Sequence, residues 1–167
     1  MSTFSDRATG PDIAWIEPGF AIGSCPYAAE RQLIKKQGIR VAVIVHEPDE
    51  REVEAWRALG VEVVAVPTPD WVGIPAARFE EVVEVVSSCL DAGRPVLLHC
   101  LAGINRAPTL AAAVLCRHRG MSVEAALQTI RQARPAAYPT PEQETSLRRW
   151  VSSVRSRVTD QSATTGE

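Results

Sequence analysis

Two periods of hydrophobic and polar positions alternate along the chain. Short, largely β-branched runs at Val41–Val45, Val61–Val66 and Val96–Leu98 predict buried parallel strands, because a strand covered on both faces reads as continuously apolar. Between them the spacing changes to that of helices, over 27–37, 49–59 and 75–91. In the third of these, Phe79, Val82, Val83, Val86, Cys89 and Leu90 recur at i, i+3, i+4 and i+7, so one face is apolar. Gly38 and Gly60 stand where the first two should stop.

Before these elements, Ile13–Ile16 and Phe20–Ile22 flank Glu17-Pro18-Gly19 and predict two short strands around a turn. After them come helices near 107–119, 122–133 and 141–157, the first two separated by Gly120. In the last, Leu147, Trp150, Val151, Val154 and Val158 form one stripe, expected to pack into the core. Strands alternating with helices give an α/β class: a single domain whose central, mostly parallel sheet of about five strands carries helices on both faces. The expected domain is 12–157, with 1–11 and 158–167 as flexible tails.

Composition narrows the function without naming it. The 167 residues suit one domain, and 46% hydrophobic with 23% charged residues is the balance of a globule with a sizeable core. A net charge of −2 provides no general attraction to nucleic acid, which is not expected as a partner. No apolar run is long enough to span a bilayer, and Met1–Asp6 lacks a basic stretch leading into an apolar one, so no membrane association and a cytoplasmic location are expected. Cys25, Cys89, Cys100 and Cys116 lack zinc-type pair spacing and do not resemble a disulfide framework. Cys89 and Cys116 fall on apolar helix faces and are read as core; Cys25 is weighed as a reversible oxidation partner of Cys100 and disfavoured, as nothing local supports it. No metal or cofactor is expected, and the sequence is silent on oligomeric state.

The chemistry concentrates in His99-Cys100-Leu101-Ala102-Gly103-Ile104-Asn105-Arg106, between the Val96 strand and the helix after it. The amides of a strand-to-helix turn and the positive end of the helix favour an anion. Arg106 adds a planar fork for two oxygens of the same anion, and Gly103 the freedom to curl. Thiols in such electropositive turns ionise readily, and the thiolate is the nucleophile, which makes Cys100 the candidate beneath a phosphate held by Leu101, Ala102, Gly103, Ile104, Asn105 and Arg106.

His-Cys-x5-Arg after a strand resembles the phosphate-binding loop of the cysteine-dependent protein tyrosine phosphatase superfamily, and the chain around it, including Pro18-Gly19-Phe20-Ala21-Ile22-Gly23-Ser24, is similar to the small dual-specificity branch. The resemblance implies a phosphomonoester hydrolase working through a phosphocysteine intermediate on phosphotyrosine, phosphoserine or phosphothreonine of a protein substrate. Such a reaction needs an acid for the leaving oxygen. Asp70, following the Val66 strand, emerges at the same sheet edge as Cys100 and matches the family's general acid; Asp49, Glu50 and, more weakly, Glu47 are reserves. The alternative for Asp70 is a turn-forming role after Pro69. His99 is expected to support Cys100 through hydrogen bonds to nearby backbone, while His46 and His118 have no partner at recognisable spacing.

Two positions qualify the resemblance. The family pattern has Ser or Thr directly after the arginine, where its hydroxyl is implied to stabilise the departing thiolate; here residue 107 is Ala, with Asn105 and Thr109 as the nearby candidates to replace it. Gln143 either corresponds to the family's glutamine near the active site or completes a capping box with Thr140, the local reading being favoured. The uncharged Leu101, Ala102, Ile104 and Asn105 disfavour polyphosphorylated lipid head groups. Alternatives are a phosphate-recognising module with little turnover, an RNA 5′-triphosphatase and, ranked lowest, a rhodanese-like sulfur carrier.

Overall fold

A computed structural model describes residues 10–164. β1 (Ile13–Glu17) and β2 (Phe20–Gly23) form an antiparallel hairpin turned by Gly19, whose φ of 83° suits glycine. The chain continues through α1 (Ala28–Lys36), β3 (Val41–Ile44), α2 (Glu50–Ala58), β4 (Glu62–Ala65), α3 (Ala76–Asp91), β5 (Val96–His99), α4 (Arg106–His118), α5 (Val123–Ala133) and α6 (Pro141–Thr164). The sheet order is β1-β2-β5-β3-β4, parallel from β2 onwards.

The pleat sends alternate residues to opposite faces, and each face has its own core. Phe20, Ile22, Val41, Val43, Val96 and Leu98 pack with α3, α4, α5 and α6. Ala21, Ala42, Ile44 and Leu97 meet Ile34 of α1 and Trp56 of α2 on the other face. Helix α4 is buried from Arg106 to Cys116, and each large apolar side chain removed from water there, such as Leu110, contributes about 1.5–3 kcal/mol. Cys89 and Cys116 do lie in the core; burial raises both thiols, that of Cys116 to about 11.

β5 is the central strand, and its last residue, His99, is in register with Gly23 of β2 and Ile44 of β3. Whatever follows these three strands therefore emerges together at one edge, where open α/β sheets bind ligands.

Two expectations need correction. The Val61–Val66 run is not a buried strand: β4 is the sheet's outer strand, with Glu62 and Ala65 exposed and Val63 and Val64 half-buried, because only β3 pairs with it. The last helix does not end at 157. It runs to Thr164, since residues 158–164 contain no glycine or proline to stop it, and hydroxyls such as Thr159 Oγ1 (to Arg155 O, 2.8 Å) bond back along it. Val158 consequently projects past the core and is exposed rather than completing the stripe. Most of the remaining tail expectation, residues 1–9 and 165–167, lies outside the described residues.

Candidate active site

Residues 100–105 join β5 directly to α4, whose first helical residue is Arg106. Gly103 is required twice over. Its φ is +67°, and a Cβ there would stand 2.5 Å from the Gly23 carbonyl carbon and 2.7 Å from Arg134 Nη2. The loop is held from outside by its own carbonyls: Arg134 Nε donates to Gly103 O (2.7 Å), Arg134 Nη2 to Ala102 O (3.2 Å), Tyr138 N to Ile104 O (2.7 Å) and Cys25 N to Leu101 O (2.9 Å). With its carbonyls engaged outward, the loop leaves its amides and the unsatisfied first turn of α4 for an anion. The buried Arg134 is fixed in turn by Asp12 (2.8 and 2.9 Å), whose carboxyl that guanidinium holds below the usual carboxylate range against the opposing effect of burial.

Cys100, the first residue of this loop, and Arg106, the first of α4, are both buried. Arg106 Nη1 donates to Thr68 O (3.1 Å) and Nη2 lies 3.2 Å from Asp70 Oδ2. The structure thus brings Asp70 to the arginine of the loop, as expected from its strand-end position. Its segment is anchored independently, by Ile74 N donating to Ser146 Oγ on α6 (3.0 Å). Asp70 also forms a turn: its Oδ1 accepts from Trp71 N (3.0 Å), and Trp71 has φ 61°, a left-handed conformation uncommon for an aromatic residue. Asp49 Oδ1 caps α2 by accepting from Glu52 N (2.7 Å), and among the described residues no hydrogen bond or ion pair joins Asp49, Glu50 or Glu47 to the loop. Gln143 forms the capping box, with Thr140 N donating to its Oε1 (3.0 Å) and Gln143 N to Thr140 Oγ1 (3.2 Å).

A family model described as "Dual specificity phosphatase, catalytic domain" matches residues 22–153, the span that carries this loop and its arginine. The chain belongs to the dual specificity phosphatase family. It is a cysteine-based, metal-independent phosphatase. Among its relatives, mouse dual specificity phosphatase 28 is 31% identical over 81% of this chain and 81% of its own. Human "Phosphatidylglycerophosphatase and protein-tyrosine phosphatase 1" is 28% identical, over 86% of this chain and 75% of its own. The crystal structure of Tk-PTP in the active form superposes with a TM-score of 0.79 at 27% identity, covering 85% of this chain and 97% of that one.

Behind the loop this dual specificity phosphatase has a buried polar group that sequence spacing did not reveal. His99 is fully buried, with rings of His46 and Trp56 at centroid distances of 5.4 and 6.2 Å. The Cys100 backbone interacts with the ring and acts to raise it, as expected of a supporting residue, while Nε2 has no hydrogen-bond partner. Burial pushes the imidazole down to about 4 against the pull of Glu52, leaving it neutral. His46 Nε2 donates to Glu52 Oε2 (2.8 Å), and the Cys25 thiol points at Glu52 Oε1 (3.4 Å). Burial acts to raise Glu52, but His46, His99 and Cys25 outweigh it and hold the carboxyl below its ordinary value. Burial and this carboxylate push Cys25 up to about 12, against the opposing effect of the Arg31 guanidinium.

Arg134, Asp12 and Tyr138 were equally invisible in the sequence, since their link to the loop is tertiary; Arg134 Nη1 bonds to Asp12 across 122 positions. His118 pairs with Asp91 on the surface (2.8 Å).

Proposed function

We propose that this phosphatase acts on phosphorylated proteins, with Cys100 attacking phosphorus in line, the loop amides and Arg106 stabilising the equatorial oxygens, and Asp70 protonating the leaving oxygen. In the second step Asp70 accepts a proton from the water that releases phosphate from Cys100. His99 supports the loop by packing. The Asp70–Arg106 pair at 3.2 Å is the observation that carries this reading, since an acid must stand beside the same guanidinium that grips the phosphoryl group.

The apolar surround supports a protein rather than a lipid substrate. Leu101, Trp71 and Tyr138 are 60%, 69% and 66% exposed, on the loop or on segments bonded to it, and the loop has no lysine for additional phosphates. Side chains flanking a phosphorylated residue can cover this rim, whereas an anionic membrane is drawn by exposed cations. The discriminating measurement is kcat/KM on phosphotyrosine and phosphothreonine peptides against phosphatidylglycerophosphate in mixed micelles. We expect the peptides to be preferred at least tenfold; a preference for the lipid overturns the protein assignment while leaving the phosphatase chemistry intact.

Ala107 supports a slow second step. It is fully buried, and neither nearby group stands in for the family's hydroxyl: Thr109 Oγ1 donates to Asn105 O (2.6 Å), and Asn105 Nδ2 donates to Tyr138 O (2.6 Å). With p-nitrophenyl phosphate, the expected rapid-mixing trace is a burst approaching one nitrophenolate per enzyme before slower turnover. A single linear phase at saturation would show that thiolate departure is not limiting.

A further inference from the structure

The group behind the phosphate loop has the composition of a transition-metal site. Cys25 Sγ, a His46 ring nitrogen and a Glu52 carboxylate oxygen all lie within 4.8 Å of one another. Tetrahedral zinc, with bonds of about 2.0–2.3 Å to N, O and S, separates its ligand atoms by about 3.3–3.8 Å, so modest side-chain adjustments suffice. Two separations, Cys25 Sγ to Glu52 Oε1 at 3.4 Å and His99 Nε2 to the same oxygen at 3.6 Å, already fall in that range.

An ordinary buried hydrogen-bond network would leave its members satisfied. This one does not. His99 is fully buried, its Nε2 has no hydrogen-bond partner, and that nitrogen stands toward the Glu52 carboxylate. Among the described residues the ion-pair partners of Glu52 are two imidazoles. A buried carboxylate, a half-buried thiol and an imidazole with an unused nitrogen therefore converge at one place, with the Arg31 guanidinium alongside the thiol.

We propose that Cys25, His46, Glu52 and His99 form a binding site for a thiophilic divalent cation of the zinc class, separate from the phosphate cradle and not part of hydrolysis. Binding replaces the Cys25 S–H bond by a sulfur–metal bond, the proton passing to solvent, and the His46 hydrogen moves from Nε2 to Nδ1 so that Nε2 can ligate. Cys25 and Glu52 together neutralise the dication, the imidazoles complete four-coordination, and the half-buried Cys25 provides the way in. The strands explain why distant residues meet: Cys25 follows β2, His46 follows β3 and His99 ends β5, all at one sheet edge.

Cobalt(II) is the probe, titrated into the reduced full-length chain, because thiolate ligation gives it a charge-transfer absorption. Cys100 is also thiophilic, so Cys100→Ser separates the two locations. We expect one equivalent bound, with the absorption retained in Cys100→Ser, abolished in Cys25→Ser and displaced by zinc(II). His46→Gln, with folding checked by circular dichroism as for Cys25→Ser, should weaken affinity at least tenfold. Absence of the absorption in the wild type, its survival in Cys25→Ser, its loss in Cys100→Ser, or unchanged affinity in folded His46→Gln each overturns the proposal.

Discussion

Replacing Cys100 by Ser is expected to reduce hydrolysis of p-nitrophenyl phosphate by at least about three orders of magnitude while preserving the fold and the binding of phosphate analogues. The side chain lies buried at the base of the loop, where a hydroxyl occupies almost the same space. The loop itself is fixed by Arg134, Tyr138 and Cys25 through backbone carbonyls, none of which depends on the sulfur. What changes is the nucleophile: an alcohol oxygen replaces the sulfur. Steady-state rates, together with vanadate or tungstate binding by calorimetry, separate chemistry from recognition. Retained turnover by the purified variant would sink the covalent mechanism.

The second large effect is expected at Asp70. Asp70→Asn should lower kcat by about 10²–10⁴-fold on a phosphoserine peptide, whose alkoxide leaves poorly without a proton, and by less on p-nitrophenyl phosphate, whose phenolate leaves unaided. Asn is as competent as Asp in the turn that precedes Trp71, so a residue serving only that turn would tolerate the exchange. The dependence on leaving group is what a loss of local order cannot imitate. Equal, small losses on both substrates would assign Asp70 to the turn alone.

Much of the fold is legible in the sequence because its central strands are covered on both faces. Val41–Ile44 and Val96–His99 are buried throughout, so their apolar runs are unambiguous. The Val61 run looks the same yet forms the outer strand: composition records that a segment is β-branched, and only strand order decides how many neighbours cover it. The end of α6 escapes the sequence pattern for a related reason. Polarity after Arg157 means absence of packing, which a helix already nucleated at Pro141 does not need in order to continue.

The candidate site divides in the same way. Cys100 and Arg106 stand within one short loop and Asp70 at the end of a recognisable strand, so local spacing and topology suffice to nominate them. Arg134 closes helix α5 with nothing nearby to mark it, and Asp12 stood at the edge of an expected tail; their meaning arises only when the loop's carbonyls are brought between them. His46 carries no local signal because its partner, Glu52, lies six positions on in α2.

The packing of Gly103 against Gly23 bears on the order of assembly. Helices α3 to α6 can form most of their mutual contacts from neighbouring sequence, but the cradle requires the first hairpin, β5, and the end of α5 to be in place together. Such long loop closures come late on a folding route and add entropy cost before any contact rewards it. A partly folded chain can hence be rich in helix and blind to phosphate. The anion binds only the completed molecule, and by mass action it favours that state over every precursor.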